Sequence, residues 1–113
     1  MSHSVALIAS GELNHKACLA KIRSFSYVIA VDGGLVYCKK MHIQPKLIIG
    51  DFDSTPEPLL LEYGDIEKIH FPKDKDKTDL ELALEIAAER NLSPATVFGA
   101  LGKRSDHTLY NLL

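Results

Sequence analysis

Short apolar runs rich in β-branched residues recur along the chain and alternate with segments of helical periodicity. Five such runs predict β-strands, at residues 5–9, 27–31, 47–49, 67–71 and 95–98. Four of them are almost continuously apolar, which is typical of strands that are buried on both faces. The run at 67–71 alternates apolar and polar residues instead, which indicates a strand near an edge of the sheet.

Segments with apolar residues on one side fall between these runs and predict helices. The predicted helices cover residues 14–23, 33–41, a segment starting at Thr55-Pro56, 78–91, and a last segment from near Ser105 to the end of the chain. We expect Pro56 to take the first helical position, where proline is favoured. The helix at 78–91 has the clearest signals, because Thr78 and Glu81 form a capping box and Asn91 is suited to end it.

Strands that alternate with helices at this spacing predict right-handed βαβ units and a parallel sheet covered on both faces. We therefore predict a three-layer α/β/α, Rossmann-like domain with a mainly parallel sheet of five or six strands. At 113 residues the chain fits a single domain. It ends inside its last predicted helix without a capping residue, so we expect the domain at 1–113 to be truncated at its C-terminus.

Composition and charge narrow the class of protein. Hydrophobic residues make up 46% and charged residues 25%, with a net charge of −2, so nothing favours nucleic acid or an anionic membrane as a partner. A secretory leader and an apolar stretch of membrane-spanning length are not evident, and we expect a cytoplasmic protein. Cys18 and Cys38 have no CxxC spacing and fall in helical segments, which indicates reduced, apolar packing residues.

Aspartates follow four of the five predicted strands. In an open parallel sheet, ligands bind beyond the carboxyl ends of the strands, so these side chains are expected to share one crevice. Several carboxylates in one crevice repel one another by about 1 kcal/mol per close pair even when screened. A bound Mg²⁺ removes that cost, and it prefers hard oxygen ligands. The pattern therefore predicts a divalent metal that acts on a phosphate substrate.

Asp51 and Asp53 are the sharpest pair, because one intervening residue lets both face the crevice while Phe52 turns inward. An alternative is that Asp53, Ser54 and Thr55 only supply turn and helix-capping oxygens. Capping does not require Asp51 as well, so we favour metal binding.

Two other segments permit two interpretations each. The glycines of Asp32-Gly33-Gly34 either supply positive φ angles or let an anion approach the start of a helix. Between residues 73 and 79, lysines and aspartates alternate, and the lysines fit a solvated loop. Asp79 lies in the first turn of a capped helix, where it can serve the helix dipole, a metal, or both.

The segment from Gly99 to His107 combines two glycines, Lys103, Arg104 and a predicted helix start, which are features of a phosphate-binding loop. It matches neither the GxxxxGK[ST] loop nor the GxGxxG fingerprint. His107 could act as a general base beside Asp106, although a lone histidine at such a position is more often structural.

Four motifs, taken in order, carry a resemblance to a known family. They are Asp-Gly-Gly at 32–34, Gly-Asp-Phe-Asp-Ser at 50–54, Asp-Lys-Asp-Lys-Thr-Asp at 74–79, and Gly-Ala-Leu-Gly-Lys-Arg-Ser-Asp-His-Thr-Leu at 99–109. The succession resembles the catalytic domain of thiamine pyrophosphokinases over essentially the whole chain. The resemblance implies Mg²⁺-dependent transfer of pyrophosphate from ATP to thiamine, by in-line attack of the thiamine hydroxyl on the β-phosphorus, which yields thiamine diphosphate and AMP.

The resemblance also implies roles for individual residues. The implied metal ligands are Asp32, Asp51, Asp53 and Asp79. The implied catalytic residues are Asp51, Asp53, Asp79, Arg104 and Asp106. The implied nucleotide and phosphate contacts are Asp32, Gly33, Gly34, Gly99, Gly102, Lys103, Arg104 and His107. The implied substrate contacts are Asp76, Asp79 and Asp106.

The chain also departs from the family pattern. The family usually has Gln at the position of Lys75, Ser or His at Lys77, and Gly at Lys103. Lys75 therefore argues against direct substrate contact at position 75. Its members continue into an all-β domain that helps to bind thiamine and to form a homodimer. The 113 residues do not include that domain, so we expect weak or no turnover from them alone.

Two alternatives remain at this point. A haloacid-dehalogenase-like phosphatase or phosphotransferase would use Asp51 as nucleophile and Asp53 as acid and base. We predict against it, because its motif normally lies on an early strand and precedes a lysine motif and an acidic pair. The other alternative is a non-catalytic module that binds nucleotide or metal.

Overall fold

Within the described part of the chain, six strands form one sheet in which the order is β4-β3-β2-β1-β5-β6. The structure, a computed structural model, describes residues 4–11, 15–52, 55–72, 78–99 and 107–110. The strands are β1 Val5–Ile8, β2 Tyr27–Val31, β3 Leu47–Gly50, β4 Glu67–His70, β5 Ala95–Phe98 and β6 His107–Tyr110. The first five run parallel and β6 is antiparallel to β5. This confirms the predicted α/β class and mainly parallel sheet.

Helices cover both faces of the sheet. They are α1 His15–Arg23, α2 Gly34–Met41, α3 Glu57–Glu62 and α4 Asp79–Glu89. Side chains alternate across the pleat, so Ala6 and Ile8 of β1 pack with α1 and α2, whereas Val5 and Leu7 pack with α4. Each face buries its own apolar cluster, and this explains why β1, β3 and β5 are buried throughout their lengths.

The strand order places a topological switch beside β1. The chain adds β2, β3 and β4 on one side of β1 and then returns to add β5 on the other side. The connections that follow β1 and β5 therefore diverge at the carboxyl ends of these two strands. A crevice at such a point is the usual ligand site of an open α/β sheet.

Several local predictions are confirmed. β4 lies at an edge of the sheet, as its alternating pattern indicated. Thr78 Oγ1 accepts a hydrogen bond from the Glu81 backbone N–H at 3.1 Å, and the Thr78 backbone N–H donates to Glu81 Oε1 at 3.4 Å, which completes the capping box. After α4, Asn91 takes a left-handed φ of 60°, which continues no helix.

Two predictions about helices are wrong. Residues 107–110 form strand β6, not the helix predicted from near Ser105, and they pair with β5 from Ala95↔Tyr110 to Phe98↔His107. This pairing covers the outer edge of β5, whose backbone groups need partners. Pro56 occupies the N-cap position of α3 rather than its first helical position, because the helix starts at Glu57.

Neither cysteine is in a disulfide, and both side chains are buried in the apolar cluster beneath α1 and α2, in agreement with the expectation of packing residues. Burial raises the pKa of the Cys38 thiol to about 12. Among the residues that the structure describes, no helix combines the length and the apolar character needed to cross a membrane.

Candidate active site

Asp32 is fixed at the carboxyl end of β2 by its backbone. Its N–H donates to the carbonyl of Ile49 at 2.7 Å, which extends the pairing between β2 and β3 by one residue. Its φ of 52° is left-handed, a conformation that aspartate tolerates better than most residues. Asp32 Oδ1 accepts a hydrogen bond from the Phe52 N–H at 3.2 Å, so the turn after β2 is tied to the loop after β3.

Of the two interpretations of the glycines after Asp32, the one based on positive φ angles is wrong. Gly33 has a φ of −63°, and Asp32 takes the positive φ in this turn. A Cβ atom on Gly34 would lie 1.8 Å from the Ile8 carbonyl oxygen. Glycine is therefore required at position 34 because α2 starts against the backbone of β1.

Asp51 begins the loop that follows β3, and its neighbours determine its place. Phe52 has a φ of 66° and packs against the apolar cluster under α1 and α2, so it turns inward as predicted. Its ring centroid also lies 5.5 Å from that of His70 on β4. On the other side of Asp51, a Cβ atom on Gly50 would lie 2.1 Å from Asp32 Oδ1. The absence of a side chain at position 50 thus leaves room for the Asp32 carboxylate.

Asp79 reaches the same edge from the first residue of α4, which packs across β2 and β3. Burial raises the pKa of the Asp79 carboxyl above its ordinary value, and a hydrogen bond from the backbone of Asp51 opposes that rise only in part. The capping box at Thr78 fixes the start of α4, so the position of Asp79 follows from local helix signals as well as from packing.

The three carboxylates meet at one point. Asp32, Asp51 and Asp79 each offer an oxygen, and these oxygens all lie within 4.8 Å of one another. Three like charges at this spacing repel by about 1 kcal/mol per pair in water, and by several times more near a protein surface. An all-oxygen, anionic donor set is the one that Mg²⁺ prefers. The residues present therefore fit a hard divalent cation.

A pocket of ≈ 340 Å³ lies beside the carboxylates at the switch point between β1 and β5. Its volume is within the range of small-molecule sites. Gly99, which follows β5, has a φ of 80°, and a Cβ atom there would lie 2.8 Å from the Ala9 carbonyl oxygen. The residues that line this switch-point pocket are Ala9, Ser10, Gly11, Val31, Asp32, Asp79, Leu80 and Gly99.

Comparison with known proteins decides the family. The family model described as "Thiamin pyrophosphokinase, catalytic domain" matches residues 19–113. The chain belongs to this family. It is 40% identical over 89 residues to the thiamine pyrophosphokinase of Bacillus subtilis (strain 168), an alignment that covers 74% of this chain and 40% of that protein.

Solved structures from the same family share the fold. The thiamine pyrophosphokinase structure from Bacillus subtilis is 27% identical, has a TM-score of 0.72, and is matched over 91% of this chain and 49% of its own. The family protein from Enterococcus faecalis is 26% identical at a TM-score of 0.72, over 89% of this chain and 48% of its own. The chain thus spans about half the length of these structures.

Within this thiamin pyrophosphokinase family member, the predicted site residues fall into three groups. The structure brings together Asp32, Asp51 and Asp79 at the edge where Gly99 lies, and Gly33 and Gly34 follow Asp32 at the start of α2. His107 is the first residue of β6 and pairs with Phe98, which places its backbone at the same edge as Gly99. The remaining predicted residues lie outside the described ranges: Asp53, Asp76, Gly102, Lys103, Arg104 and Asp106.

Two contributors to the site were not predicted from the sequence. Gly50 makes room for Asp32, and a glycine at the end of an otherwise apolar strand is a signal for close approach of another group. Ser10 lines the switch-point pocket, but no residue pattern around it marks a site. Only the strand order, which places β5 beside β1, reveals its position.

Proposed function

We propose that this chain is the nucleotide-binding, catalytic part of a thiamine diphosphokinase, which transfers pyrophosphate from ATP to thiamine. The observation that carries the proposal is the convergence of Asp32, Asp51 and Asp79 within 4.8 Å. These residues belong to motifs of the matched family, and they border a pocket at the switch point of the sheet. The geometry supports binding of a polyphosphate together with a divalent cation.

In the proposed reaction, pyrophosphate passes from ATP to the hydroxyl group of thiamine. The hydroxyl oxygen of thiamine forms a bond to the β-phosphorus of ATP, the bond between the β-phosphorus and the oxygen bridging it to the α-phosphorus breaks, and AMP leaves. The hydroxyl proton goes to a carboxylate, for which Asp79 and Asp106 are the candidates by position. Arg104 is proposed to stabilise the charge on the transferring group. Such a reaction depends on positioning and charge neutralisation more than on covalent help from the protein.

Asp32, Asp51 and Asp79 would hold Mg²⁺, with Asp53 proposed as a further ligand. When bound, Mg²⁺ would supply neutralisation of the charge on the phosphate oxygens. The 3.2 Å hydrogen bond from the Phe52 N–H to Asp32 Oδ1 keeps the Asp32 carboxylate oriented toward the site. Thiamine as the acceptor, a homodimeric assembly and a cytoplasmic location are part of the same proposal, and they derive from the family resemblance.

Formation of AMP and thiamine diphosphate from ATP, thiamine and Mg²⁺ tests the proposal, with both products measured by chromatography. Because the chain spans 40% of the Bacillus subtilis relative, the assay also uses a chimera in which this chain replaces the matched segment of that enzyme. Asp51→Asn should reduce product formation by roughly 100-fold or more, since it removes a ligand of the charge-neutralising cation. Asp65→Asn, at an exposed aspartate in the turn after α3, is the matched control and should retain activity.

Two results would contradict the proposal. If neither the chain nor the chimera forms AMP while the parent Bacillus enzyme does, the assigned reaction is wrong, and retained nucleotide binding would then indicate a non-catalytic module. A covalent phosphoryl group on Asp51 would instead support the haloacid-dehalogenase-like alternative. No feature of the described residues specifically favours that second reaction.

A further inference from the structure

A second pocket, of ≈ 440 Å³, adjoins the switch-point pocket on the α2 side of the sheet. Ser10 lines both pockets, and Gly33 of the second pocket directly follows Asp32 of the first. A ligand whose charged end lies at the carboxylates can therefore extend past Ser10 into this second space. The residues that line the second pocket are Ser10, Gly33, Val36, Tyr37 and Lys40.

Three of these residues lie on α2 and form one stripe together with Gly33, the N-cap residue of the helix. Positions 33, 36, 37 and 40 are spaced by three, four and seven residues, which places them on the same side of a helix. The fully buried side of α2 carries Leu35, Cys38 and Met41. The stripe lies beside it, with Val36 and Tyr37 half-buried and Lys40 exposed. With a rise of about 1.5 Å per residue, the stripe extends roughly 10 Å from the turn that contains Asp32. The stripe is therefore a continuous surface along the helix that starts beside the carboxylates.

The chemistry of the stripe suits a flat, uncharged ring. Tyr37 is partly buried against the apolar cluster under α1 and α2, which holds its ring in place, and Val36 adds an aliphatic surface. The Lys40 ammonium lies 5.9 Å from the centre of the Tyr37 ring. A planar heterocyclic base stacks on an aromatic side chain whatever the identity of the base. A cationic ring such as a thiazolium would be repelled by Lys40.

We propose that the second pocket binds the base and ribose of the nucleoside triphosphate, with Tyr37 as the stacking platform. This proposal rests on the proposed function, because it takes the phosphates to lie at Asp32, Asp51 and Asp79. It assigns the uncharged purine of the donor to α2 and leaves the cationic acceptor to approach from elsewhere. Tyr37 is then a nucleotide-binding residue that none of the motif matches pointed to.

Calorimetric titration of the chain tests this assignment. One ligand is α,β-methylene ATP with Mg²⁺, in which the bond to be broken is replaced, and the second is inorganic triphosphate, which has the phosphates without the nucleoside. Tyr37→Leu, which keeps apolar bulk against the core, and Tyr37→Ala should raise the Kd of the ATP analogue roughly tenfold. Neither variant should change the Kd of triphosphate, and Tyr37→Phe should bind both ligands as the wild type does.

Tyr63→Ala is the matched control, because Tyr63 packs against the same apolar cluster but lines a different cavity with Lys39 and His42. It should leave both affinities unchanged. An unchanged affinity of Tyr37→Leu for the ATP analogue would overturn the assignment of the second pocket to the base and ribose. Equal affinity of the wild type for triphosphate and for the analogue would also overturn it. Thiamine is titrated as a third ligand, and loss of its binding in Tyr37→Leu would assign the pocket to the acceptor and overturn the proposal as well. A wild type that binds neither phosphate ligand would refute the proposed function itself.

Discussion

Replacement of Gly50 by alanine should damage the site and the fold together. The added Cβ atom would lie 2.1 Å from Asp32 Oδ1 and 2.6 Å from Asp32 Cγ, so the carboxylate must move. Gly50 also has a φ of 154°, which strains a residue with a side chain by about 1–3 kcal/mol. Loss of the hydrogen bond from Phe52 N–H to Asp32 adds about 1 kcal/mol or more. Together these effects lower the free energy of unfolding by about 3 kcal/mol.

Thermal unfolding followed by circular dichroism measures this effect. A loss of about 3 kcal/mol corresponds to a decrease in Tm of roughly 10 °C for a chain of this length. The Mg²⁺-induced increase in Tm should also be smaller in Gly50→Ala, because Asp32 is displaced from the other carboxylates. Gly64→Ala is the matched control, since the nearest atom to its Cβ would be the Leu61 carbonyl oxygen at 3.3 Å. If Gly50→Ala kept the wild-type Tm and the wild-type response to Mg²⁺, the described packing of Asp32 against Gly50 would be refuted.

Three further predictions concern charge and reactivity. Burial raises the pKa of Asp79 in the folded state, so the charge on its carboxylate opposes folding as pH rises. Asp79→Asn should therefore raise the Tm of the metal-free protein at neutral pH. This gain in Tm should vanish toward about pH 4, where the carboxyl group is protonated. An equal or lower Tm at neutral pH would contradict this. The pKa of Glu67 is lowered by its hydrogen bonds from Arg90, so Glu67→Gln should lower the urea midpoint above pH 4.5 but not well below it, and a pH-independent difference would argue against the ion pair. In a Cys18→Ala variant, the buried Cys38 thiol, with a pKa of about 12, should react with a disulfide reagent at about pH 8 only after unfolding. Rapid reaction in the folded protein would contradict the burial of Cys38.

The parallel core of the fold was predictable because the relevant signals are local. Continuous apolar runs mark strands buried on both faces, and the alternating run at 67–71 marks β4 as an edge strand. The capping box at Thr78 sets the start of α4 in the same way. These features depend on the residues of one segment and on its general environment, so sequence periodicity is enough to identify them.

The wrong helix prediction and the features that were not predicted depend on contacts between distant segments. The short apolar run after residue 106 suits a helix or a strand, and pairing with the open edge of β5 decides for the strand. The left-handed φ of Asp32 arises where its N–H and carboxylate contact the end of β3, which its own neighbours in the sequence do not reveal. Likewise, the second pocket exists because the chain segment after β1 lies beside α2, and this requires the strand order.

The convergent carboxylates are proposed to bind a nucleoside triphosphate through a divalent cation. A calorimetric comparison of α,β-methylene ATP binding with and without Mg²⁺ tests it most directly, on the wild type and on Asp51→Asn and Asp65→Asn. We expect tight binding of the analogue to require Mg²⁺ in the wild type and in Asp65→Asn. In Asp51→Asn, we expect this Mg²⁺-dependent binding to be lost. Equal affinity with and without Mg²⁺, or unchanged Mg²⁺-dependent binding in Asp51→Asn, would contradict the claim.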